Sequence, residues 1–166
     1  MEKCSLPRNP SKAQYRISPA FRLYERLREV LQNGDSAKLR QELPSLQTLN
    51  CDFGVWPPER PLLHHACGAA NASLEDIEYL LDLGSDINFQ DTTSGYTPLH
   101  QAAYYGRTEV VKLLLKRGAS TTLLNCNRET PADAAKANNH TEVANLLQRD
   151  NSRGSPQVAS QRDEAN

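Results

Sequence analysis

The apolar positions of the chain fall in short clusters at helical spacing. Phe21, Leu23, Tyr24, Leu27, Val30 and Leu31 form a stripe, with Arg22, Arg26, Arg28 and Glu29 on the remaining positions. That spacing predicts an amphipathic helix. Ser18-Pro19 provides its cap and first-turn proline, and Asn33-Gly34 its stop. Farther along, Leu99, Ala102 and Ala103 share one face of a short helix opened by Thr97 and Pro98. The alanines let a neighbouring helix approach closely. Gly106 ends this helix, because glycine accepts the left-handed backbone of a helix terminus. A second helix follows at once. Thr108 is its expected cap, Val110, Val111, Leu113, Leu114 and Leu115 its apolar face, and Gly118 its stop. Lys116 and Arg117 stand near the negative end of its dipole. The unit reads as two short antiparallel helices and a projecting turn.

That unit recurs. "TPLHQAAYYG" begins at Thr97 and "TPADAAKANN" at Thr130, an offset of 33 residues. At the same offset Thr108, Glu109 and Val110 match Thr141, Glu142 and Val143, and Leu113-Leu114 match Leu146-Leu147. Asn139 takes the place of Gly106, and Pro131 that of Pro98. Upstream, "PLLHHAC" sets Leu63, His64 and Ala66 where Leu99, His100 and Ala102 stand later, and "LEDIEYLLDLG" ends at Gly84. "QNGDSAKLRQEL" aligns with "YYGRTEVVKLLL" as a degenerate front unit. Repeats of this length stack into solenoids, because one unit cannot bury its apolar face alone.

The run "GYTPLHQAAYYGRTEVVKLLLKRGAS" closely resembles one repeat of the ankyrin-repeat family; "PLLHHAC…LEDIEYLLDLGSDIN" and "ETPADAAKANNHTEVANLLQ" resemble it less completely. The resemblance implies an all-α solenoid of about four helix-turn-helix units with short hairpin fingers, in a small stand-alone protein. Expected units are 18–55, 56–92, 93–125 and 126–149, preceded by a mobile basic segment, 1–17, and followed by a disordered polar tail, 150–166. Two departures from the family pattern stand out. Arg128 occupies the turn position that Gly95 fills one unit earlier, and Asp133 replaces the histidine.

Composition narrows the function. Hydrophobic residues make up 38% and charged residues 23%, which suits a globular segment with polar ends. No apolar run reaches the roughly 20 residues of a membrane helix. Cys4, Cys51, Cys67 and Cys126 are widely spaced, the pattern of a reduced, cytoplasmic or nuclear chain. The net charge of −1 conceals an asymmetry: residues 41–90 carry eight acidic residues and one basic residue. An acidic middle argues against direct nucleic-acid binding. It also raises an alternative, an escort for a basic protein.

His64, His65, Cys67 and His100 are the candidates for metal or catalytic chemistry. Adjacent helical residues point about 100° apart, so His64 and His65 do not converge on one ion. No phosphate loop, nucleophile elbow or metal-spaced quartet is present. No cofactor, metal or catalytic residue is therefore assigned. The resemblance instead gives His100 a structural role, bonded to its capping threonine and to backbone of the neighbouring turn. His64 has Pro61 at that cap position. Thr97, Pro98, His100, Gly106, Gly84, Gly118, Thr130, Pro131 and Asn139 are read as structural. The family binds proteins through finger tips and inner helices. Here that implies Thr92, Thr93, Ser94 and Tyr96 on a finger, and Gln101, Tyr104, Tyr105 and Arg107 beside it. Trp56, in the proline-rich "DFGVWPPERP", is a further candidate anchor. The expected function is non-catalytic protein binding by a monomeric adaptor, inhibitor or regulatory subunit.

Overall fold

Thr97 and Thr130 each begin a helix by the same reciprocal bonding. The threonine hydroxyl accepts the backbone N–H three residues on, at 3.2 Å from His100 and 3.2 Å from Asp133. The side chain at that third position returns to the threonine N–H, at 3.2 Å from His100 Nδ1 and 3.1 Å from Asp133 Oδ2. Two orphan donors of the helix terminus are thereby satisfied. Pro98 and Pro131 occupy the first turn, where no N–H is required.

The computed structural model describes residues 19–43 and 60–154. Among them are eight helices and no strand: α1 (Pro19–Asn33), α2 (Ser36–Glu42), α3 (Leu62–Gly68), α4 (Leu74–Asp82), α5 (Pro98–Tyr104), α6 (Thr108–Lys116), α7 (Pro131–Ala137) and α8 (Thr141–Gly154). They form four antiparallel pairs. α1, α3, α5 and α7 stack in chain order as an inner row, while α4, α6 and α8 line up as an outer row. Ala66, Ala102, Ala103 and Ala135 are buried in the inner row, where their short side chains permit close approach. Leu80, Leu114 and Leu147, one from each outer helix, are fully buried behind them. The architecture is an all-α solenoid.

Two expectations change at element ends. Thr108 is the first residue of α6 rather than its cap; Arg107 occupies the cap position and forms no side-chain cap bond. α8 continues to Gly154, five residues into the segment expected as a polar tail. Residues 1–17 and Trp56 lie outside the described residues.

Gly106 shows how one unit admits the next. Its φ is 66°, and a Cβ placed there would lie 2.3 Å from Nδ1 of His140. Only a residue without a side chain leaves room for that ring. Asn139 adopts φ 63° in the corresponding place of the last unit. Charge also links the units. Arg117, just after α6, reaches back to Asp82 at 2.8 Å and Glu78 at 3.4 Å on α4, and Arg40 of α2 reaches Glu75 at 3.0 Å. The acidic residues of the middle segment are thus flanked by cations from both neighbours.

Candidate protein-binding surface

The finger before α5 is organised by a carboxylate that is hidden from solvent. Asp91 Oδ1 accepts the N–H groups of Thr93 at 3.1 Å and Ser94 at 2.6 Å, and the Ser94 hydroxyl at 3.0 Å. Its Oδ2 faces Arg60 at 3.3 Å. Asp91 N–H closes the hairpin on Tyr96 O at 2.8 Å. Burial opposes the charge on Asp91, but the Ser94 bonds and the Arg60 guanidinium outweigh it and hold the carboxyl below its ordinary range. The result is a rigid tip with Thr92 and Thr93 exposed. The Ser94 hydroxyl turns inward.

Asn125 plays the corresponding part in the next finger. Its Oδ1 accepts from Asn127 N and Glu129 N, both at 2.9 Å, and its Nδ2 donates to Glu129 Oε2 at 2.8 Å. Arg128 completes the turn at φ 63°, matching φ 68° at Gly95. Cys126 N–H donates to Ser94 O at 3.0 Å, so the two fingers lie side by side. Gln90 Nε2 adds bonds to Gly95 O at 3.0 Å and Leu124 O at 2.8 Å.

His64 and His100 each tie one unit to the next. His100 Nδ1 receives the Thr97 N–H and lies 2.8 Å from the Thr97 hydroxyl. An acceptor at Nδ1 leaves the proton on Nε2, which donates to Glu129 O at 3.1 Å. His64 Nε2 makes the same forward bond to Tyr96 O at 2.9 Å. Its Nδ1, however, is buried with no partner among the described residues. Pro61, at the cap, has neither the hydroxyl nor the N–H that Thr97 offers. Burial, partly offset by the bond to Tyr96 O, lowers the His64 pKa to about 4; burial, with Arg60 and Arg28, does the same for His65. Burial also pushes the Cys67 thiol up to about 12. These groups are arranged as neutral bracing. Among the described residues no cluster of His, Cys, Asp or Glu has metal-binding geometry.

The aromatic residues form a strip alongside. Tyr96 stacks on His100 at 5.4 Å and stands 6.2 Å from Tyr104, which meets Tyr105 edge-on at 5.0 Å. Tyr105 leans over Gly68 of the preceding unit, where a Cβ would lie 3.0 Å from its ring. Tyr104 and Tyr105 nonetheless remain 39% and 54% exposed. Gln101 and Arg107, candidates from sequence, point elsewhere. Gln101 is 5% exposed. Arg107 donates to Ala66 O at 2.7 Å and Ala72 O at 2.6 Å, bolting its unit to the one before. Thr92, Thr93, Tyr104 and Tyr105 are therefore the accessible members of the set, with Tyr96 half-buried between them. Asp91, Asn125 and Gln90, which shape the surface, went unnoticed in the sequence. Asp91 and Asn125 lie 34 residues apart, one more than the repeat offset, so the repeat pattern did not align them.

A family model described as ankyrin repeats, in three copies, matches residues 61–157. The E3 ubiquitin-protein ligase hecd-1 of Caenorhabditis elegans is 42% identical over 83 residues, covering 48% of this chain and 3% of that protein. The E3 ubiquitin-protein ligase Ufd4 of Drosophila melanogaster is 33% identical over 150 residues, covering 84% of this chain and 5% of that protein. The human 2-5A-dependent ribonuclease is 39% identical over 61 residues, 37% of this chain and 8% of that protein. The chain thus spans less than a tenth of the length of each of these relatives.

Proposed function

The chain belongs to the ankyrin-repeat family, and from that premise we propose that it acts as a non-catalytic adaptor, inhibitor or regulatory subunit. Ankyrin repeats are protein-protein interaction modules, and the part of each relative that matches is a small fraction of a much larger protein. The observation that carries the reading is the pair Tyr104 and Tyr105. Two adjacent aromatic side chains stay exposed at the end of an inner helix whose other apolar residues are buried. Tyrosine presents large apolar area with few rotors, which favours its use in interfaces. A scaffold braced this way loses little conformational entropy on association.

An escort role through the acidic segment has less support. Glu75, Glu78 and Asp82 are already paired with Arg40 and Arg117. Hydrolytic or metal chemistry has less still, since His64 and His100 are each bonded to a neighbouring backbone carbonyl and the Cys67 thiol stays protonated near neutral pH.

Affinity capture from native lysate with mass spectrometry, comparing wild type with Tyr104→Ala/Tyr105→Ala, tests the proposal. A partner retained by the first and lost by the second, with both proteins folded by circular dichroism, supports it. Identical partner sets would move the site away from this surface.

A further inference from the structure

Asn33 is the one asparagine of the chain that a glycine follows. It is exposed as the last residue of α1, at the end of a helix, where fraying begins. Its side-chain amide has no hydrogen-bond partner among the described residues. Gly34 turns the chain at φ 74°, and its N–H is held by a long bond, 3.3 Å, to Leu31 O. Other asparagine side chains are engaged. Asn71 Nδ2 donates to Gln32 O at 2.8 Å and Asn138 Nδ2 to Ala134 O at 2.9 Å. Asn88 Oδ1 accepts the Ser120 N–H at 2.8 Å, and Asn125 is bonded through both its oxygen and its nitrogen. Asparagine is a thermolabile residue, and a glycine after it leaves the main-chain nitrogen unshielded by any side chain.

The turn at Asn33-Gly34 also seats the front of the solenoid. Asn71, between α3 and α4, holds Gln32 O, and a Cβ on Gly34 would lie 2.8 Å from Asn71 O. Just past the turn, Asp35 N–H closes on Val30 O at 3.1 Å, and Asp35 Oδ1 caps α2 by accepting the Lys38 N–H at 3.1 Å. The Ser36 hydroxyl then donates to the buried Asp76 carboxylate of α4 at 2.8 Å. A few residues of main chain thus fix both the end of α1 and the start of α2 against the second helix pair.

We propose that Asn33-Gly34 is a self-modifying site, whose spontaneous deamidation loosens the front helix pair from the second. Fraying lets Asn33 leave the helical backbone. The Gly34 nitrogen bonds to Cγ of Asn33 and gives its proton to solvent. The Cγ–Nδ2 bond breaks, ammonia departs, and a cyclic imide remains. Water then opens the imide. Cleavage of its bond to Cγ leaves an aspartate, and cleavage of its bond to the main-chain carbonyl carbon leaves an isoaspartate. Either product sets a carboxylate at the negative end of the α1 dipole, which is unfavourable. The isoaspartate also lengthens the main chain by one carbon, and Gly34 can no longer keep its close fit against Asn71.

The test ages the full chain and Asn33→Gln for weeks in mildly alkaline buffer at body temperature, then digests both with trypsin. Peptide 29–38 contains no other asparagine. In aged wild type it should gain the mass of an amide-to-acid change, placed at residue 33 by fragmentation. It should separate into two forms, one of them a substrate for protein-isoaspartate methyltransferase. The same peptide of Asn33→Gln should persist unchanged, because glutamine would have to close a larger ring. On ageing, the urea midpoint of wild type should fall and that of Asn33→Gln should hold. Hydrogen exchange should rise in α1 and α2 of aged wild type and stay constant in α5 to α8. An unmodified peptide 29–38, or faster change at another asparagine, overturns the site. Modification at Asn33 with an unchanged midpoint, or an equal fall in both proteins, overturns the loosening.

Discussion

Replacing Pro61 by threonine should stabilise the protein. His64 is buried, and its Nδ1 has no donor among the described residues. The equivalent nitrogen of His100 is served by both the N–H and the hydroxyl of Thr97. Pro61 already has the backbone of a capping residue: φ −61°, ψ 159°, against −88°, 167° at Thr97 and −81°, 164° at Thr130. A threonine there enters without rearrangement. Supplying a side-chain cap is worth about 1 kcal/mol, and satisfying a buried acceptor about 1 kcal/mol more. Releasing the proline restriction in the unfolded chain returns roughly 0.4–1 kcal/mol. The net expectation is a gain of about 1 kcal/mol, or about 0.5 M in the urea midpoint at an unchanged slope of about 2 kcal/mol/M. Pro61→Ala is the control, because it restores the N–H without the hydroxyl. Urea unfolding at pH 7, followed by circular dichroism, measures all three proteins. If Pro61→Thr is no more stable than Pro61→Ala, the hydroxyl has no unmet acceptor to serve and the reasoning fails.

Three other substitutions or conditions probe the same framework. Gly106→Ala should destabilise far more than Gly118→Ala, by on the order of 3 against 1 kcal/mol. Both positions have positive φ, but only Gly106 faces a ring, whereas a Cβ on Gly118 meets nothing within 4 Å; equal thermal shifts would refute the close approach of His140. Arg107→Ala should cost about 2 kcal/mol by leaving the Ala66 and Ala72 carbonyls unpartnered, and Arg107→Lys, which lacks the fork, should recover less than half in chemical denaturation. Acid should weaken the fold between about pH 6.5 and 4. His64 binds its proton less readily when folded, at about 4 against 6.5, so the unfolded chain takes up more protons as pH falls through that window and stability drops. From pH 7 to pH 5 the loss from His64 alone is about 2 kcal/mol, and His64→Gln should lessen the pH dependence of the urea midpoint while His65, also lowered to about 4, keeps its share.

The repeat carried its own signature. Thr97, Pro98, His100 and Gly106 each answer a local backbone need, and local needs leave residue types at fixed spacing. Bonds that cross between units leave such a trace only where the repeat fixes the residue, as at His100. Arg107 looks like an ordinary surface arginine until the carbonyls of Ala66 and Ala72 are placed beside it, and a carbonyl has no letter in the sequence. The family pattern places Gln101 on the binding face, but it is buried, with its side-chain oxygen beside Gly68 of the preceding unit. Asp91 and Asn125 do the same work in successive fingers with different side chains, and an extra residue between them shifts the register. The acidic middle segment looked like a free surface because its arginine partners lie 35 and 39 residues away.

Every cross-unit tie described above runs between neighbours: His64 to Tyr96, His100 to Glu129, Arg107 to Ala66 and Ala72. A molecule linked in that way responds to force as a zipper does. Pulled by its two ends, it should peel from an extremity and lose one helix pair at a time. The joint between the second and third pairs, held by His64 and Arg107 together, should part late.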